Sequence, residues 1–261
     1  MQKVTSGDGT NIAFDRSGKG SEVILVGGAF QHRAIDPGTA QLASLLAQHF
    51  TVFHYDRRGR GDSGDTQPYA VEREIEDLEV LIKEAGGSAF VFGMSSGAVL
   101  ALRAAAQGVH IKKLALYEPP FNNPGVWGSA VENYTKHLTT LLAEGRRGDA
   151  VALAMTAFGA PIDAVTGMRE TPVWSMFESV APTLAYDNAT MGNGSVPVEE
   201  AKRVNIPILV MDGGASPVWI RNAAQAVVDV LPNAQRRTLE GQTHDVDPGV
   251  LAPVLDEFYK A

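Results

Sequence analysis

The stretch Ser88-Ala89-Phe90-Val91-Phe92-Gly93-Met94-Ser95-Ser96-Gly97-Ala98-Val99-Leu100 decides the architecture of this chain. Its first half is a short run of strand length, apolar on both faces, as suits a central parallel strand covered by helices on either side. Its second half opens an alanine-rich segment, Ser96 to Gln107, that predicts a helix. Between them Gly93-Met94-Ser95-Ser96-Gly97 fits G-x-S-x-G. The pattern alone is common. Between a strand and a helix it is specific, because so tight a turn strains its central residue and needs flanking residues without side chains. The helix N-terminus then points at Ser95 and favours negative charge developing beside it. Ser95 is therefore the candidate nucleophile.

Outward from this point the same alternation repeats. Glu22 to Val26, Thr51 to Tyr55, Lys113 to Tyr117 and Pro207 to Met211 are further apolar runs, and Gln235 to Leu239 is strand-like. Helices are expected at Pro37 to His49, Ser96 to Gln107, Val218 to Leu231 and Val250 to Tyr259. The clearest is Tyr69 to Ala85, where Val71, Ile75, Leu78, Ile82 and Ala85 fall at helical spacing before Gly86-Gly87 stops it. Val4 to Ser6 and Ile12 to Asp15, separated by Asp8-Gly9, predict a hairpin. The whole implies an α/β fold with a mostly parallel, doubly wound sheet. The alternation lapses between Pro119 and Val196, where helical patterns such as Val131 to Leu142 and Ala150 to Phe158 occur without a convincing strand. This predicts a core of residues 1–119 and 197–261, with a helical cap, residues 120–196, inserted after the sixth strand over the carboxyl edge of the sheet.

On these residues the chain resembles the α/β-hydrolase family. A second motif carries the resemblance: Asp56-Arg57-Arg58-Gly59-Arg60-Gly61-Asp62-Ser63 matches D-x-R-G-x-G-x-S, a largely structural loop in the family. The resemblance implies an oxyanion hole of two backbone N–H groups. One belongs to Ser96, after the nucleophile. The other lies in Gly27-Gly28-Ala29-Phe30, where relatives often carry His-Gly-x; it falls on Ala29, with Gly28 as the alternative. The general base is expected late in the chain. Of six histidines (His32, His49, His54, His110, His137 and His244) only His244 stands there, after a strand and before the last helix. It would take the proton of Ser95 and return it to the leaving group.

The acid departs from the common pattern. Many relatives place an aspartate a few residues beyond the strand ending here at Met211, but that position falls near Ser216 in Asp212-Gly213-Gly214-Ala215-Ser216-Pro217. Asp212 comes too early. Glu118, in Tyr117-Glu118-Pro119-Pro120, follows the preceding strand, from which some branches of the fold take their acid. Glu118 is the favoured candidate, with Asp212, Asp245 and Asp247 as alternatives. The elbow Gly93 to Ala98, Glu118-Pro119 and the aspartate-free Gly213 to Pro217 are similar to the hydrolases that open the macrocyclic lactone zearalenone, which also use a glutamate before proline. Phe30 and, in the cap, Trp127, Met155 and Trp174 are candidate substrate-binding residues.

Composition bounds the rest. The chain of 261 residues has a net charge of −8, from 22 basic and 30 acidic side chains, which disfavours nucleic acid and anionic membrane as partners. It has no cysteine, which excludes disulfides, thiolate catalysis and cysteine-held metals. No histidine spacing suggests a metal site, no phosphate-binding G-x-x-x-x-G-K-[ST] is present, and no cofactor is implied. No apolar run approaches membrane-spanning length, and the polar start lacks a signal peptide, so a cytoplasmic location is expected. The expected partner is a small molecule, and the expected reaction is hydrolysis of a carboxylic ester or lactone with a hydrophobic body. Lyase-type or carbon–carbon cleavage by the same triad, and a hydrolase-like binding protein, are the alternatives.

Overall fold

Eight strands form one sheet: β1 (Gln2–Thr5), β2 (Asn11–Gly18), β3 (Glu22–Val26), β4 (Thr51–Tyr55), β5 (Ala89–Met94), β6 (Ile111–Tyr117), β7 (Ile208–Gly213) and β8 (Ala234–Leu239). The computed structural model describes residues 1–121 and 124–261, with residues 124–129 described by backbone alone. Strand order is β1-β2-β4-β3-β5-β6-β7-β8. β2 runs antiparallel to both neighbours, and all other pairs are parallel. The parallel strands β3, β4 and β7 are almost wholly buried, as strands apolar on both faces must be.

The helices α1 (Pro37–Leu46), α2 (Val71–Glu84) and α3 (Ser96–Ala106) belong to the first half of the chain. Between β6 and β7 lie α4 (Pro124–Ala143), α5 (Arg147–Ala157), α6 (Ile162–Arg169), α7 (Trp174–Val180), α8 (Leu184–Met191) and the one-turn α9 (Val198–Ala201). The last two are α10 (Val218–Val230) and α11 (Pro248–Lys260). Among the described residues none is long and apolar enough to cross a membrane.

Side-chain alternation sorts the helices between the two faces. Val26, Val91, Leu114, Leu116, Ile208 and Val210 pack with residues of α2, α3 and α10. Leu25, Phe92, Ala115, Tyr117, Leu209 and Met211 pack on the other face with α1 and α11. A third cluster (Leu138, Ala150, Val151, Ala154, Val165, Trp174, Ala181 and Leu184) lies within α4 to α8 and packs on Ala29 and Phe30 of the loop after β3. Strands β3 and β5 are neighbours, yet the chain leaves β3 for one face and β5 for the other. The carboxyl ends of β3 and β5 are therefore the topological switch point of the sheet, the place where open α/β sheets bind ligands.

Candidate active site

Among the described residues only three that are not glycine have positive φ: Phe30 at 63°, Ser95 at 55° and Glu118 at 46°. Such conformations cost of order 1–3 kcal/mol each and persist where the surroundings over-determine them. All three lie in loops leaving the carboxyl edge of the sheet, after β3, β5 and β6.

Ser95 is the turn between β5 and α3, with φ 55° and ψ −126°. Its N–H donates to the Tyr117 carbonyl at 2.9 Å, and its carbonyl accepts from the Ala98 N–H at 2.9 Å. The flanking glycines allow β5 and α3 to meet: a Cβ on Gly93 would stand 2.6 Å from the Gly97 carbonyl oxygen and 2.7 Å from Ala98 Cα, and one on Gly97 would strike the carbonyl oxygens of Val26 and Gly27. A Cβ on Gly28 would stand 2.9 Å from Ser95 Cβ, so the loop after β3 lies directly against the nucleophile.

Glu118 continues β6, and its N–H donates to the Met211 carbonyl at 2.9 Å. The side chain is fully buried. Oε2 lies 2.6 Å from His244 Nδ1, while Oε1 accepts from the Gly213 N–H at 2.8 Å and from the Ser216 hydroxyl. Burial pushes the Glu118 carboxyl up, but the hydrogen bonds from His244, Ser216 and Gly213 outweigh it and hold the group below its ordinary value. An ionised Glu118 makes Nδ1 of His244 the protonated nitrogen and leaves Nε2 as the acceptor. The Tyr117 hydroxyl donates to the Thr243 carbonyl and so pins the loop that carries His244.

The alternative acids are occupied elsewhere. Asp212 is fully buried, but its side chain takes the opposite face of β7 from Met211. There it accepts from Arg236 at 2.8 and 3.0 Å and meets the Thr238 hydroxyl. Asp245 is exposed, and Asp247 caps α11 by accepting from the Gly249 N–H at 2.7 Å.

The two proposed oxyanion donors flank Ser95. Gly28 N–H is already given to the Gln31 side chain, which leaves Ala29, whose N–H bonds to no described residue. The D-x-R-G-x-G-x-S loop lies behind this pair with Arg57, Arg58 and Arg60 all buried. Arg58 pairs with Asp77 and Asp8, and Arg57 with Glu74 at 2.7 Å. Arg57 and Arg60 both reach Asp187 of α8 at 2.8 Å, and Asp187 also accepts from the Ser96 hydroxyl at 2.7 Å.

The four candidate substrate-binding residues part company. Phe30 lies beside Ala29 and meets Phe177 and Phe158 edge-on, with ring centroids 5.4 and 6.3 Å apart. Met155 packs against the same cap cluster. Trp174 is buried in the cap's own core; its indole N–H donates to Glu178 at 3.1 Å, and Arg169 lies over its ring. It borders a cleft of about 420 Å³ shared with Arg146, Asp149 and Arg169, and the cluster it belongs to packs on Ala29 and Phe30. Trp127 lies outside the described residues as far as its side chain is concerned. Sequence reasoning missed Ser216, Gln31 and Asp187. The first stands where an acid was sought and found absent; nothing local distinguishes the other two.

A buried carboxylate on an imidazole and a positive-φ serine at the foot of a helix thus both stand at the carboxyl edge of the sheet, and they are the parts a nucleophilic hydrolase needs. The model of the alpha/beta hydrolase family matches residues 23–254, and the chain belongs to that family. An alpha/beta hydrolase from Sphaerobacter thermophilus is 55% identical, with 99% of this chain and 100% of that one covered and a TM-score of 0.89. The enol-lactonase from Burkholderia xenovorans shares the fold at 19% identity and a TM-score of 0.72, over 100% of both chains. N-formylmaleamate deformylase from Pseudomonas putida is 36% identical over 112 residues, 41% of this chain and only 41% of that protein's length.

Proposed function

We propose that the chain is a serine hydrolase that cleaves a carboxylic ester or lactone of a neutral, hydrophobic small molecule through an acyl-enzyme. The contact between Glu118 and His244 carries this reading, because it fixes the tautomer that leaves Nε2 free to act as base. Ser95 Oγ attacks the carbonyl carbon as Nε2 takes its proton. The Ala29 and Ser96 N–H groups receive the developing oxyanion at the N-terminus of α3. His244 then protonates the leaving alcohol, and water, activated by the same nitrogen, releases the acid. A lactone differs only in that its alcohol stays tethered.

Two observations support a neutral, apolar substrate. Arg57, which meets the Ser96 hydroxyl at 3.3 Å, and Arg60, which shares Asp187 with it, are matched by Glu74 and Asp187 and have no charge to spare for a substrate carboxylate. Phe30, Phe158 and Phe177 supply apolar surface beside Ala29. The short motifs shared with the zearalenone-opening hydrolases, and the enol-lactonase among the structural neighbours, favour lactones within this class. Incubation with p-nitrophenyl butyrate and with a fluorophosphonate tests the reading. Turnover with labelling at Ser95, both abolished in Ser95→Ala, is expected. Ligand binding with neither turnover nor label would instead identify a hydrolase-like binding protein.

A further inference from the structure

We infer that Asp187, carried on the cap helix α8, is a positioning residue for the oxyanion hole, an inference that rests on the hydrolase reading above. One carboxylate reaches both halves of the hole, the first directly and the second through two arginines. Asp187 Oδ1 accepts from the hydroxyl of Ser96, the residue that supplies the first donor, at 2.7 Å. The same carboxylate accepts from Arg60 Nη2 at 2.8 Å on each oxygen and from Arg57 Nη1 at 2.8 Å. These guanidiniums then hold the loop that supplies the second donor. Arg60 Nη1 donates to the Gly28 carbonyl, and Arg57 Nη1 to the Gly27 carbonyl at 3.2 Å.

The consequence follows from peptide geometry. The Gly28 carbonyl and the Ala29 N–H belong to one planar, trans peptide, so they point in opposite directions. Anchoring the Gly28 oxygen to Arg60 therefore aims the Ala29 N–H. The anchor is rigid because it is buried and neutral overall: Arg57 and Arg60 face Glu74 and Asp187, and each of the four is nearly inaccessible. Burial raises the Asp187 carboxyl, but Arg60, Arg57 and the Ser96 hydroxyl together keep it below its ordinary value, hence ionised. Donors preorganised in this way act only on the charge that appears in the transition state. Loss of Asp187 should therefore appear in kcat and leave KM nearly unchanged.

The test uses Asp187→Asn and Ser96→Ala in the full chain. It measures kcat and KM on p-nitrophenyl butyrate and the affinity for an alkyl trifluoromethyl ketone, whose adduct puts an oxyanion in the hole. Asp187→Asn should lower kcat by about 10- to 100-fold and weaken the ketone by a similar factor, with KM within about threefold. An unchanged kcat, a rise in KM alone, or undiminished ketone affinity would overturn the inference. If Asp187→Asn leaves two arginines underpaired and does not fold, Ser96→Ala, which keeps every charge and the backbone N–H, decides the matter. It should lower kcat by about 3- to 10-fold and weaken the ketone in step, and full activity there would overturn the inference. A wild-type chain that neither turns over nor is labelled would sink the hydrolase reading itself, a result distinct from all of these.

Discussion

The carboxyl group of Glu118 takes three hydrogen bonds, from an imidazole, a backbone N–H and the Ser216 hydroxyl. The third explains how the site dispenses with an acid after β7. The residue there, Ser216, is a hydroxyl donor that holds Glu118. Ser216→Ala should cost about 1 kcal/mol of that positioning, hence about a fivefold fall in kcat on p-nitrophenyl butyrate with KM little changed; a kcat equal to that of the parent would show the bond to be idle. The settings of Ser95, between strand and helix, and of His244, between the last strand and the last helix, were legible in the sequence because each is local. The contact of Glu118 with His244 was suggested by the absence of an aspartate near Ser216. What could not be read was which face of β7 Asp212 takes, since the pleat that carries Asp212 away from Met211 also hands it to Arg236.

At the scale of elements, the junction of β5 and α3 is a tight joint. Gly93→Ala places a methyl group 2.6 Å from the Gly97 carbonyl, where neither strand nor helix can yield. It should destabilise the chain by about 3 kcal/mol, seen as a lowered midpoint in urea; an unchanged midpoint would mean that the elbow is slack. The core strands and α2 were legible because a run apolar on both faces, or a stripe at helical spacing, has few alternatives. The helix α2 also buries Glu74 and Asp77, which a stripe of apolar residues does not announce. Their cations come from the loop after β4, so the pairing exists only in three dimensions. The segment between β6 and β7 was legible as helical, but α6, α7 and α8 are short, with 8, 7 and 8 residues, too few turns for a period to show.

For the molecule as a whole, buried carboxylates join α8 to the loop after β4 and the end of β6 to the His244 loop, and this sets a pH dependence. Glu74, Asp187 and Glu118 are all held below their ordinary values of 4.5, 3.8 and 4.5, since burial, which raises each, is outweighed by their partners. In the unfolded chain they bind protons more readily than in the folded one. Their stabilisation is therefore complete near neutrality, begins to fall as pH drops through about 4.5, and continues to fall below that. Asp77, raised by burial, works in the opposite direction but alone. Buried His32 and His54, both lowered from 6.5 by burial, already favour the unfolded chain below about pH 6.5. Melting temperatures taken between pH 7 and pH 3 should therefore ease from about pH 6.5 and decline more steeply below about pH 5; a profile with no steeper fall down to pH 3 would show that these carboxylates are not ionised in the fold. The same ionised Glu118 is what the proposed triad requires. Its role is tested most directly by comparing kcat on p-nitrophenyl butyrate in Glu118→Gln and Asp212→Asn. Glu118→Gln should lower kcat by about 10³- to 10⁴-fold, because the imidazole loses its orienting charge, while Asp212→Asn stays within about threefold, its effect falling on the pairing with Arg236 and hence on stability. An active Glu118→Gln beside a folded but inactive Asp212→Asn would contradict the triad of Ser95, His244 and Glu118.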